Sequence, residues 1–250
     1  MSDPTRAEVC AVACAEVFRD DGEILVSAFG IAPAIGARLA RATFSPDLAM
    51  SDGEAHLIAG VEPLGSPGGT VEGWTPFRQI FDLVWGGKRH AMMIPTQIDA
   101  FGNANTAVIG DYRRPKVQLI GVRGLPGNTV NHPCSYWVPK HSRRVFVEQV
   151  DMVAGVGNDA ARRAGSGAAR HHDLRRVVTN LAVFDFGGEQ GRMRLVSRHP
   201  GVTMEELREA TGFDLGAEEV PETRLPTEQE LQLIRQQIDP RASRDKEVPA

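Results

Sequence analysis

Short apolar runs separated by turn residues recur along the chain, a pattern that predicts strands alternating with helices. Ile24 to Phe29 reads as a first buried strand, and Gly30 to Pro33 turns the chain into a helix carrying Ile35, Leu39 and Ala42. Ahead of that unit, Val9, Val12, Ala13 and Val17 form one face of a first helix. Asp3 and Pro4 suit its N-cap and first position, with Thr5 and Glu8 a second pair at capping-box spacing. Thr75 and Pro76 open another helix, in which Phe77, Ile80, Phe81 and Val84 recur at helical spacing before Gly86 and Gly87 end it. Ala91 to Ile94, Val117 to Ile120, Val145 to Val147 and Val177 to Phe184 read as strands. They are short, β-branched and apolar on both faces, as in parallel sheets. Arg192 to Val196 suits an antiparallel partner after the Gly187-Gly188 turn. Thr203 with Glu206 and Thr227 with Glu230 mark two more capping boxes, the first helix stopping at Gly212. The last helix carries Leu231, Ile234 and Ile238 and ends at Pro240. Residues 155–173, rich in glycine, alanine and arginine, read as a long loop.

This order predicts an α/β fold: an open, mainly parallel sheet flanked by helices. Residues 1–225 form one domain on this reading, 226–240 a helix packed on it, and 241–250 a frayed tail. A chain of 250 residues is long enough to bury a sizeable core. The net charge of -4 argues against a nucleic-acid protein, which presents a basic face. No apolar run approaches the roughly 18 residues that span a bilayer. Asp3, Arg6 and Glu8 interrupt any signal-peptide pattern, so a cytoplasmic protein is expected. The three cysteines have no paired spacing and suit reduced, structural thiols; no zinc pattern is present.

The stretch richest in chemistry runs from Gln97 to Asn128. It reads Gln-x-Asp-x-x-Gly-Asn-x-Asn-Thr over 97–106, Gly-Asp-Tyr-x-Arg-Pro-Lys-Val over 110–117, and Val-Arg-Gly-Leu-Pro-Gly-Asn over 122–128. Two glycine- and asparagine-rich turns thus flank a short apolar run. Open α/β sheets bind ligands at the carboxyl ends of their strands, glycine lets a ligand approach the backbone, and N–H groups there can hold a thioester oxygen as it gains charge.

These motifs resemble the beta subunits of the family I coenzyme A-transferases. Two further stretches carry the resemblance, Val178 to Phe186 and His199 to Phe213, so that it extends over roughly 8–239. It implies a coenzyme A-transferase-like fold, an acyl-CoA substrate with coenzyme A as part of that substrate and no other cofactor, and an alpha-subunit partner in an α2β2 assembly. Family transferases use a glutamate in Ser-Glu-Asn-Gly, near the end of an early strand, to form a glutamyl-CoA thioester. Here the matching place reads Ser51-Asp52-Gly53-Glu54. Aspartate is one methylene short for covalent attack, and Glu54 lies two residues late. This departure, together with the 122–128 loop, resembles an offshoot of the family: the two-subunit acyl-CoA hydrolases of steroid-ring degradation. That resemblance implies hydrolytic opening of a cyclic β-ketoacyl-CoA, with the base carboxylate supplied by the alpha subunit. An ordinary transferase using Asp52 or Glu54, and a purely structural subunit, remain the alternatives.

Within this chain, Asp52, Arg123 and Asn128 are the catalytic candidates, and Gln97, Asp99, Asn103, Asn105, Gly121 and Gly124 the candidates for binding substrate. The competing reading for the amides and Asp99 is Asx-type turns serving their own backbone. Three other patterns weigh less. Gly155 to Ala160 fits a dinucleotide fingerprint, but glycines interrupt the expected helix and no acidic residue follows at the right distance. His132-Pro133-Cys134 offers a thiol and a base without an orienting acid, and His171-His172-Asp173 reads as solvated. The arginines at 162, 163, 170, 175 and 176 read first as a solvated face, and alternatively as a contact for CoA phosphates or the partner. Trp74, Phe77, Phe81 and Trp85 read as core first and interface second.

Overall fold

The computed structural model describes residues 2–52, 55–66, 69–217 and 219–249. Its main sheet has six strands in chain order: β1 (Leu25–Ala28), β2 (Arg89–Met93), β3 (Pro133–Val138), β4 (Asp173–Thr179), β5 (Ala182–Asp185) and β6 (Arg194–Arg198). The first four run parallel and the last two turn back antiparallel. The fold is the open, mainly parallel α/β sheet that the pattern predicts.

One face of the sheet is covered by α1 (Arg6–Glu16) and α2 (Ile31–Thr43). α1 begins at Thr5, not at Asp3-Pro4: the Thr5 hydroxyl accepts from Glu8 N and the Glu8 carboxylate from Thr5 N. It buries residues on every side, from Ala7 to Ala15 without a break, because sheet, α2 and C-terminal elements enclose it. That crowding needs small residues. A Cβ on Gly36 of α2 would stand 2.7 Å from Cys14 Cβ and 2.8 Å from Ala15 N. α7 (Glu228–Gln232) widens into a π-helical turn over Leu233–Ile238, and Ile234 and Ile238 complete this core. The opposite face holds Ile98, Phe146, Tyr136, Phe184 and Leu207 in a second core.

Several sequence expectations need correction. The sheet's interior strand β3 went unread, because a proline, a cysteine and a serine open it ahead of Tyr136 and Trp137. The run from Val177 to Phe184 is two strands: Thr179 Oγ1 accepts from Leu181 N and Ala182 N and folds the chain back there. Val117 to Ile120 supplies only a two-residue pairing of Val117–Gln118 with Val108–Ile109 in an exposed hairpin. Of Val145 to Val147, only Phe146 pairs, with Ile98. A hairpin of His56–Ile58 with Val71–Trp74 went unread. The aromatic helix is α3 (Gln79–Gly86), starting after Phe77, and it buries none of its residues. α4 (Leu125–Asn131) occupies part of the expected glycine loop, and α5 (Asn158–Arg163) part of the expected 155–173 loop. α6 (Met204–Ala210) is capped by Thr203 as expected.

Residues 241–249 of the expected tail pack against the domain. α8 (Arg244–Glu247) is pinned by Asp239, which binds Arg244 at 3.0 Å, and Glu247 accepts from Ala32 N at 2.8 Å. Glu8, fully buried, receives Arg235 at 2.7 Å and Arg244 at 3.0 Å. Burial alone would raise the Glu8 carboxyl, but the bonds from Arg235 and Thr5 and the charge of Arg244 hold it below the usual carboxylate range.

Two outcomes follow from this packing. Gly36→Ala forces α1 and α2 apart and should cost about 1–3 kcal/mol, read as a lower urea midpoint with an unchanged slope. His132, His141 and His199 are buried and held neutral, with pKa values pushed down by burial to about 4, 3 and 4. The unfolded chain takes up their protons first, so stability is full above pH 6.5 and lost below it. The loss is roughly 1.4 kcal/mol per histidine for each pH unit until the folded value is reached. Urea titrations at pH 7.5, 6.0 and 5.0 should show midpoints falling in that order; a flat series would contradict it.

Candidate active-site crevice

The crevice lies at the β1 edge of the sheet. Residues 49–51 extend that edge: Val26 N donates to Ala49 O and Ala49 N to Ile24 O, both at 2.9 Å, in parallel with β1. Asp52 therefore arrives at the carboxyl end of an edge segment, where open sheets place ligands. Its carboxylate is engaged. Oδ1 accepts from Ala55 N at 3.0 Å and His56 N at 3.1 Å, and Oδ2 meets His56 Nδ1 at 2.8 Å. Asp52 thus caps its own loop. Gly53 and Glu54 lie outside the described residues.

Two adjoining cavities open here. One, of about 380 Å³, runs between β1, α2 and the start of α3, and includes Ser27, Arg38, Ser51 and Arg89 among its lining residues. The other, of about 370 Å³, shares Arg38, Met50 and Ser51 with it and adds Asp52. Sequence reasoning missed both arginines. Arg38 sits among the apolar residues of α2, and Arg89 precedes the apolar run from which β2 was read. A cation inside a run that must be buried was the available signal.

Arg89 is 9% exposed, and its guanidinium donates to Ser27 Oγ at 2.8 Å and to Asn128 Oδ1 at 3.0 Å. Asn128 is not on a loop but in α4, buried, where Oδ1 also meets His132 Nε2 at 3.1 Å. It orients Arg89. Gly124 is the N-cap residue of α4. Gly121 and Arg123 take left-handed conformations, φ 88° and 53°, and the Arg123 side chain is exposed. A non-glycine residue held there is uncommon and points to a constrained loop.

The four remaining candidates are buried and bonded to one another's surroundings. Gln97 donates to Asp151 at 3.1 Å and accepts from Asn105 at 2.7 Å. Asp99 accepts from Phe101 N, Asn103 N and the Asn103 amide at 2.9 to 3.0 Å. Asn103 reaches on to Asp159 and to Gly157 N. Asp99, to Phe101 N, and Asn105, to Ala107 N, make the Asx-type turns of the competing reading, and none of the four lines the two cavities. Burial is the first influence on Asp99 and leaves its carboxyl raised despite those bonds.

The weaker patterns resolve into structure. A Cβ on Gly157 would run into the backbone of Asn103 and Phe101, so that glycine serves close packing rather than a dinucleotide. Burial pushes the Cys134 thiol up, away from a nucleophilic thiolate. His172 is not solvated; it bridges Thr129 O and Asn158 Oδ1 at 2.6 and 2.9 Å. Arg163 pairs with Asp159, Arg175 with Asp21 and Asp173, and Arg176 with Asp185. A line of Asp21, His90 and Ser135 was unread because the three lie far apart in sequence. His90 Nδ1 meets Asp21 at 2.6 Å and Nε2 meets Ser135 Oγ at 3.0 Å. All three side chains are fully buried, so this is a core network and not a nucleophile site.

Beside the crevice lies an apolar face. Trp74, Phe77, Phe81 and Trp85 are 65%, 74%, 58% and 80% exposed, against the expectation of core. Tyr112, Val117 and Ile120 are exposed too. An apolar display of this kind marks an interaction surface.

No described helix is long and apolar enough to cross a membrane. The coenzyme A transferase family profile matches residues 80–210. The chain is 52% identical to the cholesterol ring-cleaving hydrolase IpdB subunit of Mycobacterium tuberculosis, over 98% of both chains. It is 32% identical to one of the subunits of the 3-oxoadipate CoA-transferase of Pseudomonas knackmussii, over 94% of both. The crystal structure of Rhodococcus jostii RHA1 IpdAB superposes with a TM-score of 0.95 at 49% identity, covering 100% of both chains. With that profile match and these near-full-length identities, the chain belongs to the coenzyme A transferase family.

Proposed function

We propose that this chain is the beta subunit of a heteromeric acyl-CoA hydrolase that opens a carbon ring of a cyclic β-ketoacyl-CoA in steroid degradation. The observation that carries the reading is its near-full-length identity to the IpdB subunits, joined to the state of Asp52. At the family's nucleophile position, the carboxylate is short and commits both oxygens to His56 and two N–H groups. A group so held is suited to shaping a loop, not to attacking a thioester.

Water then replaces the missing carboxylate as nucleophile. It adds to the ring ketone; the bond between that carbon and the carbon next to the thioester breaks. The electron pair enters the thioester as an enolate, which takes a proton, and the former ketone leaves as a carboxylate. Such a step needs a base for water and donors for two oxyanions. The base comes from the alpha subunit. This chain offers Arg89, set by Asn128, inside the cavity, and Arg123 at its exposed loop for a carboxylate from outside the chain. Coenzyme A belongs to the substrate, and the route uses no other cofactor. The alpha subunit covers the Phe77, Phe81 and Trp85 face, and two such pairs form an α2β2 assembly. A cytoplasmic, reducing setting suits three free, buried thiols.

Co-expressed with its alpha subunit and incubated with a cyclic β-ketoacyl-CoA in ¹⁸O water, the complex should consume substrate without an acyl acceptor. The label should enter the new carboxylate, and borohydride quenching should leave Asp52 and Glu54 unmodified by mass spectrometry. A CoA adduct on either residue would restore a transferase. Phe81→Glu with Trp85→Glu should abolish co-purification with the alpha subunit while the isolated chain keeps its circular dichroism; undiminished co-purification would place the interface elsewhere.

A further inference from the structure

Asn128 holds Arg89 in the crevice, and the group that holds Asn128 stands behind it. A guanidinium can only donate, so the atom facing Arg89 Nη1 at 3.0 Å is the amide oxygen of Asn128. The same oxygen lies 3.1 Å from His132 Nε2. An amide oxygen cannot donate, so His132 Nε2 carries a hydrogen. The Asn128 amide nitrogen is turned away, to Met93 Sδ at 3.3 Å.

The other ring nitrogen follows from the first. His132 Nδ1 lies 3.1 Å from Pro133 O and 3.9 Å from Cys134 Sγ. With Nε2 already protonated, Nδ1 could donate to Pro133 O only from an imidazolium. Burial opposes that charge first, and the nearby charge of Arg89 opposes it too, so the ring is pushed down to a pKa of about 4 and is neutral. Nδ1 is therefore bare, and the Cys134 thiol, which burial keeps protonated, is the donor beside it.

The backbone sets this line up. Asn128 and His132 stand four residues apart, in α4 and at its C-cap, and so share one face. His132 then leads directly into β3, which brings Cys134 to the far side of the ring. The line runs from Cys134 through His132 and Asn128 to Arg89, and all four side chains are buried, so water does not compete for its bonds. Neither His132 nor Asn128 lines a cavity of the crevice. Whatever they do for the reaction, they do through Arg89.

We propose that His132 is a positioning residue: as its Nε2–H tautomer it fixes the Asn128 oxygen on Arg89, and so holds the guanidinium where ring opening needs it. This rests on the acyl-CoA hydrolase reading above and adds to it a residue that touches no substrate.

Three substitutions in the assembled complex separate the two ring nitrogens. His132→Gln returns a donor near the place of Nε2, His132→Asn one near Nδ1, and His132→Leu none. With a cyclic β-ketoacyl-CoA, the Gln variant should keep kcat/KM within about threefold, while the Asn and Leu variants lose about tenfold to a hundredfold, as a misplaced group costs. Asn128→Ala already breaks the line, so adding His132→Leu to it should cost little more. Equal losses in the Gln and Leu variants at unchanged circular dichroism, or losses that add in the double variant, would overturn the proposal. A second readout needs no turnover: ¹⁵N-histidine NMR of the unaltered complex at neutral pH, with His132 identified by its absence from the Gln variant. It should show a pyrrole-type Nε2 and a pyridine-type Nδ1. The reverse tautomer or an imidazolium would sink the positioning role alone, whereas no turnover by the unaltered complex would sink the hydrolase reading.

Discussion

A single carboxylate inside the protein joins the two ends of the chain. Glu8 is fully buried in the first helix, and its oxygens are met by Thr5 N from its own cap, by Arg235 and by Arg244. A buried carboxylate is tolerated only when its lone pairs are filled with good geometry. The two arginines that fill them arrive from the last segments of the chain. The C-terminal elements are therefore not an appendage. They complete the enclosure of α1, and Glu247 goes on to bind Ala32 N at the start of α2.

That anchoring reaches the crevice through α2. Its N-terminus is held by Glu247, its middle by the close approach of Gly36 to α1, and its outer side carries Arg38 into the two cavities. The opposite wall is set from the other side of the sheet, where α4 holds Asn128 against Arg89. Two guanidinium groups are thus fixed from two independently packed layers. Rigid elements place such groups more precisely than loops do.

The sheet was legible in the sequence where a strand is β-branched and bounded by turn residues, as with β1, the core of β2 and the β4–β5 run. It was not legible at β3, whose Pro133, Cys134 and Ser135 break the pattern although Tyr136 and Trp137 are fully buried. The amphipathic rule also failed at α3. Its apolar face has helical period but turns outward, and periodicity reports that a face will be covered, not by which chain. At the crevice, none of Gln97, Asp99, Asn103 and Asn105 is among the residues that line the two cavities. They are buried and bonded within the fold, as Asp99 is to Phe101 N and Asn105 to Ala107 N. Arg38 and Arg89 stayed hidden because a lone arginine in an apolar run has no spacing signature; only its partners reveal its role, and these lie 39 residues away for Asn128 and 62 for Ser27.

The charge pattern of the crevice bears on how labour is divided between subunits. Hydrolysis needs a carboxylate or imidazole free to take a proton from water. In the crevice, the Asp52 carboxylate is committed to its own loop, the half-exposed His56 meets Asp52 through Nδ1 alone, and the two cavity arginines can only donate. Buried His90 and His132 are likewise held in core networks. On the proposed reading this chain supplies hydrogen-bond donors to the crevice and the alpha subunit supplies the base. The exposed aromatic face beside the cavity resolves this on the proposed reading. A partner seated there would exclude solvent, which strengthens every charge in the crevice, and would bring the missing base to the edge where Asp52 stands.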